Sequence, residues 1–158
     1  SCNAAISACD KGRRWQMALA LLSAMPALRI AADVISCNAA ISACEKGGRW
    51  QLAFALLAFM RGIRIACNDI SCNTAISTCE KGGQWQLALV LLTTMPELRI
   101  APTVPSCNAA ISACEKFGRW QLALAFLVGM PRLALRPDVI TCSAAISSCE
   151  KAGRWQVA

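Results

Sequence analysis

SCNAAISACEKGGRWQLA, from Ser36 to Ala53, decides the fold, because the chain says nearly the same thing five times. Trp15, Trp50, Trp85, Trp120 and Trp155 stand 35 residues apart. The cysteine pairs Cys2/Cys9, Cys37/Cys44, Cys72/Cys79, Cys107/Cys114 and Cys142/Cys149 keep the same interval. The 158 residues therefore hold four full periods and a remnant of 18. A period of this length marks a solenoid, whose units cannot bury their apolar faces alone and do so by stacking.

Each period predicts two helices. In the first, Cys37, Ala40, Ile41 and Cys44 fall at i, i+3, i+4 and i+7, which is one helical face. Ser36, Ser71, Ser106 and Thr141 suit its N-cap, and the Gly after Glu-Lys suits its end. The second helix runs from Trp50 to Met60 without a charge and carries two apolar stripes, the pattern of a helix packed between neighbours. Met25-Pro26, Met95-Pro96 and Met130-Pro131 then break the chain. Strand signals are absent. The expected fold class is all-α, an α-α solenoid of helix-turn-helix repeats forming one array over residues 1–158. Its repeats cover 1–33 (partial), 34–68, 69–103, 104–138 and 139–158 (partial). The chain opens at Ser1 with no Met and no signal or transit peptide, so it reads as a piece of something longer.

Composition narrows the function classes. Hydrophobic residues make up 56%, charged residues 16%, and mean hydropathy is +0.47, yet no charge-free run exceeds 15 residues. A spanning helix needs about 18–20 apolar residues in a row, so no membrane partner is expected. A net charge of +7 and a pI near 9.0 permit a polyanionic partner. Seven residues of helix rise about 10.5 Å, too far for a disulfide, which needs Cα atoms within about 7 Å. The paired cysteines therefore read as small core residues in a reducing compartment. Cys67, outside the pairs, sits in the loop before Asn68 and is expected to react first with a thiol reagent. With no His and no CxxC, no metal is expected. With no phosphate loop, no paired carboxylates and no base beside any Cys, neither catalysis nor a cofactor is expected.

Asn38 lies about 100° around the helix from Cys37, off the buried stripe and on a face with Ser42, Glu45 and Lys46. Local capping would explain such an Asn once, but Ser36 is already available to cap. An amide repeated on one face at a fixed interval suits a reader of repeated ligands.

The 35-residue period, the two-helix unit and the segment Pro137 to Cys142, Pro-Asp-Val-Ile-Thr-Cys, resemble the pentatricopeptide repeat family across essentially the whole chain. The resemblance implies a right-handed superhelix that binds single-stranded RNA, one base per repeat, with two or three side chains reading each base. It places the base-reading residues at Asn3, Asn38, Asn73, Asn108 and Ser143, and at the repeat ends Asp33, Asn68, Thr103 and Asp138. Base-sandwiching residues would be Ile35, Ile70, Pro105 and Ile140, and phosphate-contacting residues Lys11, Lys46, Lys81, Lys116 and Lys151. The family's pairing of Asn with Asp for uracil, and of Asn with Asn for a pyrimidine, implies a pyrimidine-rich site read as uracil, pyrimidine, pyrimidine, uracil, purine. It also implies a place in a mitochondrion or chloroplast, in RNA processing, editing, stability or translation. This chain departs from the family in having Cys for the usual Tyr, Asp69 where other repeats have Val, and Pro105 for Ile.

Two further expectations stand beside this one. A helical solenoid also serves as a protein-binding scaffold. The second helices carry Met17, Leu52, Leu87 and Leu122, then Ala20, Ala55, Val90 and Ala125, where the family commonly has acids. Such an apolar outward strip, or the ends at Ser1 and Ala158 that fall inside repeats, implies self-association. The tryptophans, with apolar partners at i+3, i+4 and i+7, read as core rather than as base-stacking platforms.

Overall fold

The computed structural model describes residues 2–154, so Ser1, Trp155 and Ala158 lie outside it. Among the described residues there are nine α-helices and no strand. They are α1 (Cys2–Lys11), α2 (Trp15–Ala24), α3 (Val34–Lys46), α4 (Trp50–Gly62), α5 (Asp69–Lys81), α6 (Trp85–Thr94), α7 (Val104–Lys116), α8 (Trp120–Gly129) and α9 (Val139–Lys151). A short 3-10 turn, Met130–Leu133, follows α8. Odd-numbered helices are the first helix of each repeat and even-numbered helices the second. The fold is the α-α solenoid that the period demands.

The helices α3, α7 and α9 begin three residues earlier than a Ser36-type cap allows. Asp33 is the N-cap of α3: its Oδ1 accepts the Ser36 amide at 2.8 Å, and Ser36 Oγ accepts the Asp33 amide at 3.0 Å. Thr103 with Ser106, and Asp138 with Thr141, build the same capping box on α7 and α9. The Ser/Thr positions are thus N3 partners, because a reciprocal box satisfies two backbone donors where a lone Ser would satisfy one.

The chain forms two compact units, residues 1–78 and 79–158, divided within α5. In the first, α3 packs on α1, α2 and α4, and α1 on α2. In the second, α7 packs on α6, α8 and α9, and α8 on α9. Small residues make this close approach possible. Cys37, Ala40, Ile41, Ala43 and Cys44 on α3 are fully buried, as are their equivalents Cys107, Ala110, Ile111, Ala113 and Cys114 on α7. Met25, Met60, Met95 and Met130 close the far ends of the second helices and are likewise buried.

Three expectations need correction. The second helices are buried on one side only: α4 hides Ala53, Leu56, Leu57 and Met60 but exposes Ala55, Ala58 and Phe59. Its all-round apolar sequence therefore reflects an outer face built from Ala and Phe rather than enclosure. The described tryptophans are half-buried, and three of them are covered by an arginine from the next repeat: Arg49 lies 5.0 Å from the Trp15 ring centroid, Arg119 4.9 Å from Trp85, and Arg154 5.7 Å from Trp120. Such contacts contribute roughly 0.5–1 kcal/mol each at exposed sites. Gly47 makes room for this packing, since a Cβ there would stand 2.6 Å from Trp15 Cδ1.

The third concerns the thiols. All eleven cysteines are free, and burial pushes Cys44 and Cys114 up to about 11 and Cys79 to about 12. Cys67 is half-buried, its Sγ 4.0 Å from Met60 Sδ, and burial raises its pKa too. Cys142, on α9, is the exposed thiol. Among the described residues α9 is covered only by α7 and α8, so Cys142 lacks the enclosure of its equivalents Cys37 and Cys107. No described helix is long and apolar enough to cross a membrane.

Candidate functional site

The recurring Asn residues do not cap helices. Each described pair links one repeat to the cap of the next. In the first unit, Asn3 Nδ2 donates to Asp33 Oδ2 at 2.9 Å, and Asn38 Nδ2 donates to Asn68 Oδ1 at 3.2 Å. In the second, Asn108 Nδ2 lies 3.2 Å from both carboxylate oxygens of Asp138. The side chain expected at the repeat end is thus also the N-cap of the following helix. One carboxylate or amide serves both the fold and the ladder.

These caps hold their charge. The Ser36 amide is the largest influence on Asp33; burial opposes it, Asn3 adds to it, and the carboxyl ends below its usual range. For Asp138 the Thr141 backbone amide is the largest influence and Asn108 adds to it, so that carboxyl too lies below its usual range. Both Asn–Asp contacts are therefore charge-assisted at neutral pH.

The chemical capacity of each Asn follows by counting. An amide has two N–H donors and two lone pairs. Asn38 spends one N–H on Asn68, and its Oδ1 accepts the Ser71 hydroxyl at 2.6 Å. One donor and one lone pair remain. Ile35, Ile70 and Ile140 are 64%, 55% and 65% exposed, and Pro105 is exposed as well. Each sits three residues before Asn38, Asn73, Ser143 or Asn108, so an open apolar surface lies one helical turn from the polar group. Asn73 belongs to the first unit and Thr103 to the second. Thr103 caps α7, and Ser143 is exposed on α9.

Three described ion pairs join a lysine to an acid of the preceding repeat. Lys46 pairs with Asp10 Oδ1 at 2.9 Å, Lys116 with Glu80 at 2.8 Å and Lys151 with Glu115 at 2.8 Å, all still partly exposed. Lys11 is exposed at the end of α1, and Lys81 closes α5. Glu80 and Glu115 also accept a hydroxyl from the next repeat, Ser112 at 2.9 Å and Ser147 at 2.7 Å, and Glu45 accepts one from Ser77 at 2.7 Å. For Glu115 the largest single effect, burial, raises the pKa, but Lys151 and Ser147 outweigh it and leave the carboxyl below its usual range. Sequence reasoning took Glu-Lys as one helix's end and missed this clasp. The signal was an acid followed 36 residues later by Lys, one more than the period.

The comparisons with known proteins agree with this architecture. The family model described as the pentatricopeptide repeat domain matches residues 61–116, and that described as the PPR repeat matches 35–65 and 105–133. Together they span 35–133, more than half of the chain. This chain belongs to the pentatricopeptide repeat family. Among solved structures, the PPR domain of Arabidopsis thaliana protein-only RNase P 1, in complex with tRNA, matches with a TM-score of 0.82 at 14% identity, over 99% of this chain and 86% of that one. Maize PPR10, in complex with an 18-nt psaJ RNA element, matches with a TM-score of 0.83 at 18% identity, over 99% of this chain but only 23% of that one. Nuclear proteinaceous RNase P 2 from A. thaliana gives 0.83 at 13% identity, over 98% of this chain and 35% of that one. The chain thus spans about a quarter of the length of PPR10. No curated protein matches it.

Proposed function

We propose that this chain binds single-stranded RNA sequence-specifically, one base per repeat, through the Asn residues of its first helices. The carrying observation is the recurring amide that keeps one donor and one acceptor unspent beside an exposed apolar residue. A base needs both: hydrogen bonds to its edge and an apolar surface against its face. The two related structures solved with RNA support the reading. The repeat-end residue then differentiates the bases. Asp138 offers only acceptors, whereas Asn68 brings an amide that can also donate. With bases running 5′ to 3′ from the N-terminal repeat, the site reads uracil, pyrimidine, a weakly held pyrimidine, uracil and purine. The setting is an organellar transcript, in its processing, editing, stability or translation, and no catalysis is assigned to these residues.

Unbiased RNA selection on the purified chain tests the assignment. Uracil enriched at the first and fourth positions is the expected result; purines there would overturn it.

A second reading has its own support. Met17 on α2, Val90 on α6 and Val128 on α8 are 51%, 55% and 70% exposed on outer faces with few charges. Such surface favours self-association. Sedimentation of wild type against Met17→Glu/Val90→Glu/Val128→Glu decides it: association that the triple variant abolishes is expected, and a wild type monomeric at high concentration removes this reading.

A further inference from the structure

We infer that Ser71 and Thr141 are positioning residues for base recognition: each buried hydroxyl holds the reading Asn of the preceding repeat in one amide orientation. The inference rests on the RNA-reading function proposed above.

Both hydroxyls are fully buried, and both close a ring of three hydrogen bonds. In the first unit, the Asn68 amide donates to Ser71 Oγ at 3.3 Å, Ser71 O–H donates to Asn38 Oδ1 at 2.6 Å, and Asn38 Nδ2 donates to Asn68 Oδ1 at 3.2 Å. In the second, the Asp138 amide donates to Thr141 Oγ1 at 3.1 Å, Thr141 O–H donates to Asn108 Oδ1 at 2.5 Å, and Asn108 Nδ2 donates to Asp138. Each hydroxyl also lies near its own cap, 2.9 Å from Asn68 Oδ1 and 2.7 Å from Asp138 Oδ1. The shorter contact takes the proton, because two oxygens at 2.5–2.6 Å repel unless a hydrogen lies between them.

An Asn amide can rotate by half a turn at almost no steric cost, which exchanges its donor and acceptor. Here the turn is blocked twice. It would aim Oδ1 at the acceptor of Asn68 or Asp138, and it would deprive the hydroxyl of its lone pair. The unspent N–H and lone pair of Asn38 and Asn108 therefore keep a fixed order toward the base, and that order is what discriminates one edge from another. Ser36, at the same point of the preceding repeat, spends its proton on the Asp33 carbonyl at 2.9 Å, and the Asn3 amide is held by Asp33 alone. The chain thus contains its own control.

The test compares Ser71→Ala, Ser71→Thr, Thr141→Ala and Ser36→Ala in the full chain. Fluorescence anisotropy is read on RNAs containing UCUUA and on versions with the second or fourth base changed to a purine. Ser71→Ala should lower the preference at the second base, and Thr141→Ala at the fourth, by about threefold to tenfold, the worth of one net hydrogen bond. Preferences elsewhere should hold, Ser71→Thr should behave as wild type, and Ser36→Ala should leave the second and fourth bases unaffected. Loss of affinity for all RNAs alike, the same in Ser36→Ala, would show a capping role only and overturn the inference. NMR of the side-chain amides in free protein separates the two layers. The Nδ2 groups of Asn38 and Asn108 should show restricted motion in nitrogen relaxation and a proton protected from exchange with solvent, and both should be lost in the Ala variants. If both are lost but base preference is unchanged, or if the amide is equally mobile in wild type, positioning is overturned. If wild type binds none of these RNAs, the RNA reading fails, and with it any effect on recognition.

Discussion

At the scale of single residues, the turns use a conformation that side chains resist. Gly48, Gly83, Gly118 and Gly153 take φ between +63° and +73° in the turn after each first helix. Arg13 occupies that point in the first repeat at φ +55°, with the same backbone hydrogen bond that Gly48 makes. Left-handed backbone costs an L-residue roughly 1–2 kcal/mol, offset in part by the greater entropy glycine loses on folding. Arg13→Gly should therefore stabilise the chain by about 0.5–1 kcal/mol. Calorimetry should show a melting temperature a few degrees higher, and a lower one would mean that the Arg13 side chain holds a contact worth more than the strain. The chain supplies the better residue at the four equivalent turns.

At the scale of the helix, the N-cap joins stability to the ladder. Asp33 caps α3 and also receives Asn3, and its pKa lies below the usual 3.8. A carboxyl depressed on folding stabilises the fold above its unfolded pKa, and that stability drains away as pH falls through the folded value. Loss should therefore begin near pH 4 and continue below it. Asp33→Asn keeps a capping oxygen, as Asn68 does naturally, and should flatten this pH dependence of thermal unfolding. Asp33→Ala should cost about 1 kcal/mol at neutral pH. An Asn variant with the acid sensitivity of wild type would assign that sensitivity to other carboxyls.

At the scale of the whole molecule, charge is segregated by element. All eleven arginines lie on second helices or in turns, and eight of the nine acids lie on first helices or their caps, with only the five lysines to balance them there. The net +7 therefore does not sit on the elements that carry the Asn residues. If the chain binds RNA as proposed, this charge would draw it in over a distance, while Lys46, Lys116 and Lys151 would meet phosphate already paired. Each phosphate contact on a single strand adds about −0.7 to the slope of log K against log salt. Lys46→Ala with Lys116→Ala should weaken all RNAs alike and flatten that slope by less than this amount per lysine, because Asp10 and Glu80 already neutralise both. A titration over salt concentration checks it, and an unchanged slope would remove these lysines from the phosphate contacts.

The period of 35, the Cys37-Ala40-Ile41-Cys44 face and the uncharged second helices were sufficient to read an α-α solenoid and to pick out Asn38 and its equivalents as a ladder. Those features are local or strictly periodic, so spacing carries them. Other features arise only when one repeat lies against the next. The hydroxyls of Ser71 and Thr141 reach back to Asn38 and Asn108, Arg49 covers Trp15, and Lys116 finds Glu80. In sequence these partners are 33 to 36 residues apart and look like independent caps, ends and core residues. Stacking removes water from between them, and the hydrogen bonds and ion pairs formed there settle what each side chain faces.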